Sequence, residues 1–306
     1  MASNNFNYEE FEGFTYLDYN NLAVSWNIAR GSFLSPSELP SSEYNQGFLS
    51  VAMAGILSNT TPERLYSELA IDKVRETYFP KCVSRLRGFF VFDEIESISR
   101  FWSNNNWGGH FSDEYLSDVG VAATRSTRVD SNWISQIVGV DGSLKQDWFE
   151  NTLKYWRGDV FPSSDPIWER IVEGYLTVWS PEIRKNAVLE INAVWPQSMK
   201  LLTYSCLCAA YGSPDGVIFP FLMRDNNNNL KVTYISRMIQ ANDRSFIETI
   251  IENAKKMSFL EVNLKGTKVD DEDIRAPDLT FLNVTLTSED NHALADFVNR
   301  INQHKE

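Results

Sequence analysis

The 306-residue chain is poor in the side chains that most often carry metal and redox chemistry, with three histidines and three cysteines. His110, His292 and His304 are too few and too scattered for a histidine-based metal site. An odd, sparse cysteine count argues against a disulfide framework and for reduced thiols. Cys206 and Cys208 sit as C-x-C inside the apolar run LLTYSCLCAAY, with no further Cys or His nearby, and read as core residues. No apolar run approaches the ~18 residues that a membrane span needs. The start, MASNNFNYEEFEG, has neither the basic region nor the apolar core of a signal peptide. The expectation is a cytoplasmic protein with no metal and no membrane partner. Neither a G-x-G-x-x-G pattern nor a P-loop is present, which removes two common phosphate cradles. Positive charge is scarce as well: 28 Lys and Arg against 41 Asp and Glu leave a net charge of -13. Such a surface repels phosphate and disfavours non-specific tracking along nucleic acid, yet one cleft on an acidic body can still be positive.

Apolar and aromatic residues are plentiful. Hydrophobic residues make up 43% of the chain and aromatic residues 13%, including 9 Trp and 19 Phe, which excludes a disordered protein. The length suits one large domain, or a catalytic domain with an appendage. FTYLDY (14–19) predicts a first strand, followed by a short helix over 20–31 that stops at Gly31. PERLYSELAIDKVRETY (62–78) predicts a helix with Pro62 in its first turn, Thr61 as cap, and Leu65, Leu69 and Val74 near one face. GFFVFD (88–93) reads as an apolar strand entering an acidic helix start, and VGVAATR (119–125) as another buried strand. Residues 144–156 predict an amphipathic helix, 157–166 a turn-rich loop, and WERIVEGYLTVW a strand that begins near Glu169. Beyond a soft boundary at 182/183 come two helices ended by Pro196 and Gly212, two strands around the Asn run 226–229, and a helix capped by Asp243. Strands around an acidic loop (259–286) and a C-terminal helix (289–304) complete the prediction. Irregular alternation points to an α+β fold with a mixed sheet rather than a doubly wound one.

Three segments, in order, carry a resemblance. NIARGSFLSP (27–36) has Ile28, Gly31, Leu34 and Pro36 at the spacing of a helix stop followed by an apolar-x-Pro stretch. RGFFVFDEIESISRF (87–101) is glycine, an aromatic strand, an acidic residue and a helix with a spaced aromatic. WERIVEG (168–174) places a glutamate at the opening of a strand. Together they resemble the ADP-ribosyltransferase superfamily, in its poly-ADP-ribose polymerase-like and nucleic-acid-modifying toxin-like branches.

That resemblance implies an ADP-ribosyltransferase-like split mixed β-sheet core with flanking helices over 1–182, and a C-terminal α+β extension over 183–306. It implies NAD as co-substrate and Glu169 as the catalytic carboxylate. Phe90 and Phe101 become the aromatics beside the nicotinamide ring, where a flat apolar partner with no charged neighbour is needed. Gly31 borders the cleft. The family's first-strand His or Arg is missing from TYLDYNN, so Tyr16, Asp18 and Asn20 are left to meet a ribose. A cation for the pyrophosphate must come from elsewhere: Arg75, Arg85 and Arg87 lie in RETYFPKCVSRLRG, and Ser84 with Arg85 is the choice within it. Ile167 replaces the Glu or Gln of arginine-specific members. Tyr155, Trp156 and Arg157 occupy the target-recognition position and offer the stacking and cation contacts suited to an unstacked base. The implied activity is mono-ADP-ribosylation by a toxin-type enzyme, of the kind found in toxin–antitoxin and phage-defence systems, with a cognate antitoxin or chaperone as a further partner. Its acceptor is RNA or DNA slightly before protein. The alternatives are an NAD glycohydrolase and an inactive binding module of the same fold.

Overall fold

The computed structural model describes residues 8–58, 62–104, 112–226, 230–256 and 275–285. The expectations for Thr61, His110, His292, His304, most of the acidic loop and the C-terminal helix lie outside the described residues. In chain order the elements are β1 (Glu9–Tyr16), α1 (Leu22–Arg30), β2 (Ser32–Leu34), α2 (Val51–Ser58), α3 (Pro62–Tyr78) and β3 (Phe89–Val91). There follow α4 (Ile95–Asn104), β4 (Leu116–Asp130), α5 (Ile134–Ile137), α6 (Trp148–Arg157) and β5 (Trp168–Val178). The remainder is α7 (Pro181–Val194), α8 (Met199–Ala210), β6 (Ile218–Arg224), β7 (Leu230–Ser236), α9 (Arg244–Lys256) and β8 (Val284–Thr285). The chain is α+β.

β5 organises the larger sheet. Most of its residues are buried, two of them the carboxylates Glu169 and Glu173, because it is paired along both edges. On one edge it pairs with β4 from Trp168 to Val178. The other edge is shared: Arg170–Val172 pair with β3, and Tyr175–Thr177 pair with β2. The sheet therefore forks at Glu173 and Gly174, the two residues of β5 between those pairings. β1 pairs with the far side of β4, and Phe14 and Phe92 exchange backbone hydrogen bonds of 2.9 and 2.8 Å, so β1 also touches the end of β3. All these pairings are antiparallel, where a mixed sheet was expected. β4 is longer than the apolar run 119–125 suggested, because its polar second half, RSTRV, continues along β5 past a bulge at Ala123/Arg125.

Gly174 sits opposite that bulge at the fork. Its φ of 142°, and the Ala122 carbonyl lying where a Cβ would have to go, leave room only for hydrogen.

α1 lies at the centre of the molecule, with every residue buried. Asn21 caps its start by accepting from Ala23 and Val24 N–H, and Gly31 ends it in the left-handed conformation at φ 98°. Asn27 on this helix reads the edge of β6 as a strand would: Nδ2 donates to the Ile218 carbonyl at 3.0 Å and Oδ1 accepts from Ile218 N–H at 3.2 Å. Trp26 Nε1 donates to the Gly216 carbonyl at 2.7 Å. One apolar cluster runs through Trp26, Val121, Leu176, Ile191, Ile218 and Val232, and so crosses the boundary expected at 182/183. The second sheet, β6–β7–β8, is also antiparallel. α9 starts as the sequence suggests, with Asp243 Oδ1 accepting from Ser245 and Phe246 N–H. Among the described residues no helix is long and apolar enough to cross a membrane.

Gly174→Ala is expected to cost about 3 kcal/mol, from a left-handed backbone and a methyl pressed on a carbonyl. Urea unfolding measures it, and a loss below about 1 kcal/mol would mean that the fork can re-pair around a side chain.

Candidate functional site

α3 supplies the foundation of the site. Arg64 and Glu68 are one turn apart, and Arg64 Nε and Nη2 both reach Glu68 Oε1, at 3.1 and 2.7 Å. Glu68 points inward between Leu65 and Leu69 and is wholly buried. The turn-rich segment after α3 brings Arg85 back against it. Arg85 Nε donates to Glu68 Oε2 at 2.9 Å and Nη2 to Oε1 at 3.2 Å, a fork-on-carboxylate pair. Arg85 Nη1 donates to the Tyr155 hydroxyl at 2.7 Å and lies 3.6 Å from Glu169 Oε1. Arg64, Glu68, Arg85 and Glu169 thus form an unbroken chain of alternating charge.

Local contacts on either side of it in the chain aim Glu169. Before it, the buried Asp130 carboxylate accepts from Phe161 N–H at 2.9 Å and Ile167 N–H at 3.0 Å, which fixes the entry to β5. Beside it, Arg170 turns to the other face and bonds Asp93 at 2.5 Å and Glu9 at 2.6 Å. Glu169 is left on the cleft side and is 8% exposed. Its Oε1 is buried and accepts no hydrogen bond. Burial pushes its carboxyl up to about 7; the Arg85 guanidinium pulls the other way, and the Glu68 carboxylate adds to the rise. Glu68 goes the opposite way. Burial would raise it, but Arg85 and Arg64 together hold it down at about 2.

Above Glu169 opens a cleft. Its walls are mainly apolar: Phe33 from β2, Phe89 and Phe90 from β3, Phe92, and Phe101 from α4, closed by Val51 and Ile56 of α2. Tyr16 and Asp18 edge it at the end of β1, and Arg64 and Arg85 are the two cations on its wall. Phe101 is buried and backs Tyr16 and Phe92, with ring centroids 5.6 and 5.4 Å apart. Burial pushes the Tyr16 hydroxyl up to about 12, so it stays protonated at neutral pH.

The structure brings together Glu169, Arg85, Phe90, Phe101, Tyr16 and Asp18 on this cleft. Phe90 differs from expectation in one respect: a charged neighbour is present, the Arg85 guanidinium carbon 4.7 Å from its ring centre. That cation is already balanced by Glu68, so it adds a cation–π contact rather than an unpaired charge.

Other expected positions are not on the cleft. Ser84 is buried, donating to Asp72 Oδ1 at 2.6 Å, and Arg75 forks onto the same carboxylate at 2.7 and 3.3 Å, so both serve the packing of α3. Gly31 caps α1 against the Arg184 guanidinium. Tyr155 and Trp156 are not target-facing: both are in the core behind α3, and Trp156 Nε1 donates to the Ile71 carbonyl at 3.1 Å. Their helix turns these rings inward because its apolar face packs on α3 and α5. Arg157, at the helix end, is exposed and pairs with Asp159 at 3.1 Å. Ile167 is fully buried. Asn20 bonds its amide to the Tyr115 hydroxyl. Burial pushes the Cys206 and Cys208 thiols up to about 11, so both stay protonated at neutral pH.

Arg64 and Glu68 went unremarked among the candidate residues. The signal that marks them is an i, i+4 opposite-charge pair whose acidic member falls between two apolar positions of one face.

Glu68→Gln leaves Arg85 buried with half its compensation, and a loss of about 3–5 kcal/mol is expected in chemical unfolding. Glu169→Gln should behave oppositely. A carboxyl raised in the folded state stabilises while protonated and loses that contribution as pH climbs from about 4.5 to about 7. The variant should therefore match wild type at about pH 4 and exceed it by up to roughly 3 kcal/mol at pH 8. Equal melting behaviour at both pH values would show that Glu169 is not held up by burial.

Residues 11–186 match a family described as a protein of unknown function (DUF2441), a stretch that runs from β1 into α7 and includes the fork, the cleft and Glu169. No curated protein matches the chain. As that match covers more than half of its length, the chain belongs to the DUF2441 family.

Proposed function

We propose that this chain breaks the glycosidic bond between nicotinamide and ribose in NAD and transfers ADP-ribose to a macromolecular acceptor. The observation that carries the proposal is the Glu169 carboxylate: buried, without a hydrogen bond at Oε1, and set at the inner wall of an aromatic cleft. In the reaction the C1′–N bond breaks, the bonding pair leaves with neutral nicotinamide, and the ribose becomes oxocarbenium-like. An acceptor oxygen or nitrogen then bonds C1′ and gives its proton to solvent. Glu169 accepts a hydrogen bond from the ribose 2′-hydroxyl and faces the positive charge as it forms. A carboxylate that is poorly solvated before reaction gains most at that moment, because little water has to be displaced. No general acid is required, because nicotinamide leaves as a neutral molecule. The aromatic wall supplies a flat apolar berth for the leaving ring, and Asp18 at the mouth offers acceptors to a ribose. A sheet that forks beside the cleft and a glutamate at the start of its central strand also support the reading, since both accord with the resemblance given above.

The acceptor is open between nucleic acid and protein. Ile167 in place of the arginine-transfer signature, together with Tyr155, Trp156 and Arg157, favours nucleic acid, but of that trio both rings are buried and Arg157 alone is exposed. The same burial favours a second reading, in which water takes the ADP-ribose and the enzyme is an NAD glycohydrolase.

Incubation with labelled NAD and, separately, cell RNA, DNA and protein tests both. Nicotinamide release with label in one fraction is expected for transfer, and release with free ADP-ribose alone for hydrolysis. Glu169→Gln should lower either by at least about 10²-fold. With an ionised Glu169 required, kcat/KM should rise about tenfold per pH unit and level off above about 7. No nicotinamide release from wild type under any of these conditions would sink the proposal.

A further inference from the structure

Among the described residues the cleft has two cations on its wall, and they are not equivalent. Arg85 is spent: Nε and Nη2 hold Glu68, while Nη1 holds the Tyr155 hydroxyl and faces Glu169. Its side chain is 5% exposed. Arg64 is engaged differently. Nε and Nη2 converge on a single oxygen, Glu68 Oε1, and Nη1 makes no hydrogen bond among the described residues. Its side chain is 17% exposed, against zero for Glu68.

We propose that Arg64 is the anion-binding residue of this cleft, taking a phosphate or diphosphate group of a ligand whose flat, neutral part lies against the aromatic wall. Three points carry the proposal. A guanidinium presents a planar fork of donors, and the Nη1 edge of Arg64 still has donors to give. Turning Arg64 towards a ligand does not strand Glu68, because Arg85 keeps both of its oxygens. The local charge also tolerates an anion: Arg64 and Arg85 cancel Glu68 and Glu169 on this wall, and the further carboxylate, Asp18, sits at the mouth. An anionic ligand is therefore met by a cation that can reach it and by no excess of negative charge on that wall. For identifying the ligand as a dinucleotide the inference rests on the function proposed above; for the anion site itself it does not.

The two parts can be tested apart by calorimetry on the full chain. Inorganic pyrophosphate and ADP serve as anionic probes, and nicotinamide as the neutral one. Arg64→Gln is expected to weaken ADP and pyrophosphate at least tenfold and to flatten their dependence on salt, while nicotinamide binding changes less than twofold. Arg64→Lys, which keeps the charge but loses the fork, should fall between the two. Thermal unfolding checks that each variant is folded. The pair Arg64→Gln and Arg64→Lys guards against a general loss of structure, since a merely structural role for Arg64 would weaken all three probes in parallel. Undiminished pyrophosphate and ADP binding in Arg64→Gln, or no binding of either to wild type, would overturn the assignment. Arg64-dependent pyrophosphate binding without any nicotinamide binding would leave the anion site standing and remove the NAD reading.

Discussion

The pair between Glu68 and Arg85 is the interaction on which the site depends. Removing both charges from water costs several kcal/mol per ion, and only near-ideal geometry with further hydrogen bonds offsets it. Here the fork of Arg85 meets both oxygens of Glu68, and its remaining edge is met by Tyr155. The pair therefore ties three separate stretches together: α3, the segment before β3, and α6. It also sets the electrostatics of Glu169. A lone guanidinium 3.6 Å away would hold that carboxyl low. Because Glu68 already neutralises the cation and adds its own repulsion, burial prevails, and Glu169 comes to rest near neutrality.

The backbone provides what the side chains need. A strand with different partners on the two halves of one edge must fork, and a fork leaves space that apolar side chains on the two branches line. β5 meets β3 over Arg170–Val172 and β2 over Tyr175–Thr177, and Phe89 and Phe33 on those branches approach to 6.0 Å between ring centres. Glu169 lies just outside the paired segment with β3, where its strand is still held by β4 but its side chain is free of a cross-strand neighbour on that edge. Asp130 bonds the loop before it, and Arg170 locks the residue after it to the opposite face. The glutamate is consequently fixed in direction without being hydrogen-bonded at Oε1. Rigid backbone with an unsatisfied carboxylate is a strained combination energetically, and proteins keep such groups where a ligand completes them.

Positions on strands were legible in the sequence, and side-chain directions elsewhere were not. Glu169, Phe90 and Tyr16 are on or beside strands, where period-two alternation and order along the chain suffice to put them on one cleft. Phe101 and Asp18 follow because their elements begin directly from those strands. Ser84, Tyr155 and Trp156 failed for a common reason: each is polar or amphipathic, and which way it faces is decided by tertiary packing. Asp72 captures Ser84, and α3 covers the rings of α6. The antiparallel pairing of the sheet was hidden as well, since strand direction depends on connections that periodicity does not record. Arg64 is not legible in the sequence, because an i, i+4 pair usually marks a solvated face, whereas here one partner is wholly buried beneath the site.

An acidic body with an arginine-walled cleft poses an apparent contradiction for an anionic ligand. Distance resolves it. At physiological ionic strength the screening length is about 8 Å, so most of the surface carboxylates contribute little inside the cleft. Arg64 and Arg85 act there at hydrogen-bonding range, against apolar walls that raise the strength of each contact. The global charge of -13 keeps unrelated polyanions from accumulating on the surface. On the proposed reading, Phe90 and its neighbours on one side and Arg64 on the other divide the labour of selection, and a ligand that offers both a flat neutral group and an anion gains from both.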